Sequence, residues 1–202
     1  MLERFRAFWA RLITPLARLL LRLGVSPDAV TFVGTLGVSV GALAFFPRGE
    51  LALGVVVIAV FVFSDMLDGQ MARMSGRQSS WGAFLDSTLD RVGDAAIFAG
   101  LVLWFAGGGG SLWLAGLTLY CLVMGNLTSY ARARAEALGM QAKGGIAERA
   151  DRLALILLAT FFSAVLDFEP LLVFALVLLA VASTVTVGQR VLGVRRQALA
   201  HE

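Results

Sequence analysis

Four aspartates carry most of the chemistry that this sequence offers. Asp65 and Asp68 are three residues apart, and Asp86 and Asp90 are four apart, so on helices each pair shares a face. A short polar stretch, Ser75 to Ser80, separates the two apolar segments that carry them. Two antiparallel helices joined in this way bring all four carboxylates together at one end. Carboxylates inside membrane helices are costly, and are usually functional and partnered. Four together repel unless cations neutralise them, and hard divalent ions such as magnesium or manganese take oxygen ligands of this kind. A pair of such ions commonly clamps the attacking and leaving oxygens of a phosphoryl transfer. Gly69 and Gly82 leave room beside the acids for a ligand, and Arg73, one turn past Gly69, is placed to touch a phosphate or an aspartate. Buried ion pairs of the aspartates with Arg73 and Arg91 are the purely structural alternative. They would account for one aspartate, but poorly for four at these spacings. Asp94 continues the face of Asp86 and Asp90 and is read as a hydrogen-bonding group of the bundle, not as a ligand.

A second set is basic. Arg132 and Arg134 stand near the end of one apolar segment, and Arg152 opens the next. Clustered guanidiniums suit a phosphate; the ordinary cytoplasmic excess of arginine would also explain them. Other chemistries are excluded by composition. The one histidine, His201, is at the extreme tail, so no histidine triad or histidine-rich metal site is available. The one cysteine, Cys121, lies in an apolar run and reads as packing. Acid–base work therefore falls to carboxylates.

The elements that position these groups are helices in lipid. Of 202 residues, 58% are hydrophobic and 15% charged, against about 25% charged in soluble domains. Six apolar segments, at 28–46, 51–74, 82–106, 112–135, 149–166 and 171–192, approach the ~20 residues that cross a bilayer as a helix. Glycine-, proline- and polar-rich breaks between them predict short turns and antiparallel neighbours. The chain is thus expected to be one all-α integral membrane domain over 1–202, with a six-helix bundle at 28–192 and a cytoplasmic tail at 193–202. Arginines and apolar residues alternate at helical spacing over 1–24, which predicts an amphipathic helix lying in the membrane interface ahead of the bundle. Positive residues cluster at one set of segment ends, while Arg48 stands at the other with Asp167 and Glu169. The bias places both termini and the aspartates on the cytoplasmic side of the cell membrane. The net charge of +3 flanks membrane spans, so it is not read as a nucleic-acid surface.

Asp65, Asp68, Gly69, Ala72, Arg73, Gly82, Asp86 and Asp90 fit the pattern D-x2-D-G-x2-A-R-x8-G-x3-D-x3-D without a departure. By these residues the chain resembles the CDP-alcohol phosphatidyltransferases, over nearly its whole length. The resemblance implies two divalent metals, magnesium or manganese, held by Asp65, Asp68, Asp86 and Asp90 on the diphosphate of CDP-diacylglycerol. It implies that Asp90 is also the base that takes the acceptor's hydroxyl proton. It maps the nucleotide contacts onto Asp28, Ala29, Val30, Thr31, Gly69, Arg73 and Ser79, and it implies a homodimer. More narrowly, the stretches Ser129 to Glu136 and Glu148 to Arg152 resemble the actinobacterial phosphatidylinositol phosphate synthases. There Ser129, Arg132, Arg134 and Arg152, and more weakly Arg190, match a basic pocket for the phosphate of an inositol phosphate. Arg132 stands where close relatives often carry lysine. Two alternatives stay open: the same chemistry with glycerol 3-phosphate as acceptor, and a cation transporter using the carboxylates as an ion path.

Overall fold

The computed structural model describes residues 13–76, 79–142, 144–146 and 148–200, with the backbone alone at Asp65. Residues 1–12 of the expected interfacial helix lie outside the described residues; 13–22 form a helix, α1. Six longer helices follow: α2 (Pro27–Phe45), α3 (Leu51–Ser75), α4 (Ser80–Ala106), α5 (Leu112–Ala137), α6 (Arg149–Val165) and α7 (Glu169–Leu199). No strand occurs among the described residues. The helix starts follow from local chemistry. Ser26 accepts a bond from the Ala29 amide at 3.2 Å with Pro27 in the first turn, and Ser79 accepts one from the Gly82 amide at 3.0 Å. At the start of α6, the Glu148 amide donates to the Asp151 side chain at 3.2 Å, half of a capping box. Gly76 ends α3 at φ 64°, a left-handed conformation that lets the next helix begin four residues later.

Helix contacts close a ring: α2 packs on α3, α3 on α6, α6 on α7, α7 on α5, α5 on α4, and α4 back on α2. Its core holds Phe46, Ile58, Leu101, Phe105, Ile156 and Leu176, all essentially inaccessible. Large apolar residues such as Leu36, Val60, Leu103, Leu158, Phe174 and Val181 face outward. Such a surface is stable in lipid and would be an aggregation hazard in water. α1 packs beside α2 and α3 through Ala17, Val30 and Met71, and Gln70 of α3 donates to Thr14 at 3.3 Å.

Four helices among the described residues have the length and apolarity to cross a membrane: Pro27–Arg48, Leu51–Ser75, Leu112–Ala137 and Glu169–Leu199. The sequence led us to expect six spans. α4 falls short in composition because it carries Asp86, Asp90, Arg91 and Asp94. α6 is only 17 residues long and opens with Arg149, Asp151 and Arg152. The same charges that make these two helices poor spans by composition form the candidate site. α7 also runs on to Leu199, through residues expected to be a tail, and Gln197 there donates to the Gln141 carbonyl at 2.6 Å.

Candidate active site

Every candidate site residue falls at one end of the ring. α2, α4 and α6 begin there, and α3, α5 and α7 finish there. Thr31, in the second turn of α2, donates to Asp68 Oδ2 at 2.6 Å, and Asp68 is buried. A hydroxyl bond to a buried carboxylate is charge-assisted and fixes which oxygen faces the adjoining space. That space is a cleft of about 690 Å³ between the start of α2, the end of α3 and the start of α4. It is lined by Asp28, Thr31, Asp68, Gly69, Arg73, Ser79 and Asp86, among others. Five of the seven residues expected to contact the nucleotide thus meet two of the expected metal ligands on one wall. Ala29 and Val30 do not line the cleft. The Ala29 amide serves the Ser26 cap, and Val30 is buried against Ala17 and Met71. Trp81, which sequence reasoning did not single out, donates its indole N–H to Asp28 at 3.1 Å and so links α4 to α2. Arg73 bonds Gln70 at 3.1 and 3.3 Å.

Asp68 also borders a smaller pocket of about 70 Å³, and Asp90 and Arg149 line it as well. Asp90 sits one turn beyond Asp86. Its Oδ1 is 3.0 Å from Arg149 and its Oδ2 is 3.7 Å from Arg91. Arg149 also pairs with Asp94, at 3.0 Å, and Arg91 approaches Asp94 at 3.6 Å. Asp94 is buried and held within the bundle by these arginines. The side chain of Asp65 lies outside the described part of the structure; its backbone stands one turn before Asp68 in α3. Among the described side chains no group of three acids is by itself gathered to hold a metal ion. The donor chemistry nonetheless fits hard divalent ions. Asp68 and Asp86 offer carboxylate oxygens to one cleft, with Asp65 on the face of Asp68 and Asp90 on the face of Asp86.

The basic residues divide into two groups. Ser129, Arg152 and Arg190 converge on one turn of α5. Ser129 and Arg152 both donate to the Gly125 carbonyl at 3.4 Å, and Arg190 donates to the Thr128 carbonyl and, at 3.1 Å, to that of Gly144. Arg152 and Arg190 are buried. Arg91 joins this group to the aspartates by donating to Ser129 Oγ. Arg132 and Arg134 are exposed. Because α5 continues to Ala137, these two leave the helix in nearly opposite directions. Arg132 shares the face of Ser129, three residues back, and pairs with Glu136 at 2.9 Å; Arg134 does not share that face. Sequence reasoning gave Arg149 no role of its own in the site, so its grip on Asp90 was missed.

A family model described as CDP-alcohol phosphatidyltransferase matches residues 24–188. The chain belongs to the CDP-alcohol phosphatidyltransferase family, whose members are membrane enzymes. It is 52% identical to the phosphatidylinositol phosphate synthase of Streptomyces avermitilis over 98% of this chain and 84% of that one. Its structure is similar to that of phosphatidylinositol phosphate synthase from Mycobacterium tuberculosis with CDP-DAG bound, at a TM-score of 0.86 and 45% identity, covering 91% of this chain and 94% of that one. It is also similar to the same enzyme in complex with manganese and citrate, at a TM-score of 0.83 and 44% identity over 90% of this chain and 88% of that one.

Proposed function

We propose that this protein transfers the phosphatidyl group of CDP-diacylglycerol to a hydroxyl of L-myo-inositol 1-phosphate (1D-myo-inositol 3-phosphate), releasing CMP. The observation that carries the reading is the adjacency of two sites. The cleft that brings Asp68 and Asp86 together with Asp28, Thr31, Arg73 and Ser79 lies beside Asp90, and Arg91 runs from Asp90 to Ser129 at the edge of a basic group. A nucleotide diphosphate and a phosphorylated alcohol thus have separate binding walls on either side of one carboxylate. The likeness to synthases of this activity supports the same acceptor.

In this mechanism Asp65, Asp68, Asp86 and Asp90 would hold two magnesium or manganese ions, which supply charge neutralisation at the diphosphate. The chain's own residues do the rest. Asp28, Thr31, Gly69, Arg73 and Ser79 hold the nucleotide side of the substrate. Ser129, Arg132, Arg134, Arg152 and Arg190 receive the acceptor's phosphate, Arg134 from another face of α5 than Ser129 and Arg132. Asp90 takes the proton from the acceptor hydroxyl. That oxygen bonds to the phosphorus bearing diacylglycerol, the bond from this phosphorus to the bridging oxygen breaks, and CMP departs with the electron pair. Holding both reactants at fixed places supplies much of the acceleration.

We read the protein as a multi-pass enzyme of the cell membrane with six spans, the N-terminal segment in the interface, a cytoplasmic site and a homodimeric assembly. α4 and α6 complete the ring with the four apolar helices, which supports their crossing the membrane with them. The test is CMP release by the purified protein in lipid, with CDP-diacylglycerol and magnesium, and with inositol 1-phosphate, inositol or glycerol 3-phosphate supplied separately. Release with inositol 1-phosphate alone, abolished by chelation, is the expected result. Release with glycerol 3-phosphate instead would transfer the same reaction to the other acceptor. Cation flux without CMP release would make the carboxylates an ion path.

A further inference from the structure

We propose that Arg149 and Asp94 form a positioning pair that sets the orientation of the Asp90 carboxylate for proton removal. The inference rests on the reading of Asp90 as the base. Arg149 opens α6 and reaches across to α4. One guanidinium nitrogen, Nη1, is 3.0 Å from Asp90 Oδ1. Nη2 is 3.0 Å from Asp94 Oδ1, and Nε bonds both Asp94 oxygens at 3.1 and 3.3 Å. Nη2 also reaches the Asp90 carbonyl at 3.5 Å. The planar fork of arginine thus spans two carboxylates one turn apart on the same helix face.

The division of labour follows from burial. The Asp94 side chain is 9% exposed and that of Asp90 22%. Asp94 is therefore the anchor: deep in the bundle, it takes two guanidinium nitrogens and fixes the plane of the fork. Asp90, nearer the pockets, takes one nitrogen of Arg149 on Oδ1, while Arg91 stands 3.7 Å from Oδ2. Holding Oδ1 at a fixed direction fixes the plane of the carboxylate and hence where Oδ2 lies. Oδ2 is on the side of Arg91, whose other end donates to Ser129 on the acceptor wall. The oxygen that would accept the proton is thereby aimed toward the acceptor. A base displaced by a fraction of an ångström loses rate without losing substrate affinity.

This makes a specific kinetic prediction. In the reconstituted enzyme, well below each variant's melting temperature, Asp94→Asn and Arg149→Lys should each lower kcat by roughly 10–100-fold, the usual range for a group that orients a ligand or base. KM for CDP-diacylglycerol and for the acceptor should stay within about threefold. Lysine keeps the charge but cannot span both carboxylates, so it should not restore the rate. If Asp94→Asn does not fold, Arg149→Lys decides alone. Unchanged kcat in the folded variants, whatever their melting temperature, would make the pair a structural tie and overturn the proposal. A raised acceptor KM at unchanged kcat would also overturn it, making Arg149 an acceptor contact. Asp90→Asn, assayed beside them, separates the two ideas. If it turns over normally, the base assignment itself is wrong; if it is inactive while the other variants are fully active, only the positioning pair is wrong.

Discussion

Thr31 illustrates how a neutral side chain serves a charged site. Its hydroxyl lies 2.6 Å from Asp68 Oδ2 and 3.2 Å from the Pro27 carbonyl, so the proton goes to the carboxylate while the helix start stays intact without it. Replacing the hydroxyl by a methyl of the same shape removes a donor from a carboxylate that is 7% exposed. Losing such a partner typically costs about 1–3 kcal/mol. For a carboxylate that orients itself toward metal, the usual consequence is a 10–100-fold loss in affinity. Thr31→Val should therefore weaken manganese binding by roughly that factor, measured by titration of the detergent-solubilised protein followed by paramagnetic resonance, and Thr31→Ser should restore most of it. Equal affinity in the valine variant would mean that Asp68 needs no orienting partner. The same scale shows why Arg132 and Arg134 are not equivalent. A spacing of two on a helix divides them, and only Arg132 shares the face of Ser129.

At the scale of elements, helix contacts are set where side chains are absent. A methyl at Gly100 of α4 would lie 2.7 Å from the Ala42 carbonyl oxygen of α2 and 3.1 Å from the Phe46 ring. Backbone cannot step aside as a side chain does, so α2 and α4 would have to separate. Overpacking of this kind costs about 1–3 kcal/mol. About two turns nearer the site, a methyl at Gly93 meets only Val38, at 3.7 Å, an ordinary contact. Alanine is favoured over glycine in a helix by about 1 kcal/mol. Gly100→Ala should thus lower the thermal unfolding temperature and Gly93→Ala should hold or raise it; a scan of both in the same detergent checks the pair. These elements were largely legible in the sequence. Breaks at Pro47, Gly76, Gly107 and Pro170 are backbone chemistry, and the structure puts helix ends within a few residues of them. The cleft was legible for the same reason, because spacings of three and four become shared faces once the helices exist. What the sequence could not supply was the reach of α6. Arg149 meets Asp90 and Asp94 only by reaching across the ring from α6 to α4, which are not neighbours in it, and no local pattern encodes that approach. Nor could it separate Arg190 from a surface cation, since its burial depends on the Thr128 and Gly144 carbonyls, distant in sequence.

For the whole molecule, the governing asymmetry is charge against an apolar belt. At the site end stand Arg18, Arg22, Arg73, Arg132, Arg134, Arg149, Arg152, Arg190, Arg195 and Arg196; the loops at the far end contribute Arg48 as their only positive charge, along with Glu50, Asp167 and Glu169. Positive residues near the ends of spans are retained on the cytoplasmic side. This bias supports the proposed orientation, in which the cleft opens to the cytoplasm, and labelling from one side of the membrane tests it. Native Cys121 is 2% exposed and so is a silent background for labelling. Leu112, at the far end of α5, is 79% exposed, and Leu138, just past its site end, is 53% exposed. In intact cells a membrane-impermeant maleimide should label Leu112→Cys and leave Leu138→Cys unmodified until the membrane is permeabilised. The reverse pattern would turn the enzyme over and place its active site outside. Labelling of both from one side would mean that α5 does not cross the membrane, which would break the alternation that brings three helix starts and three helix ends together around the aspartates.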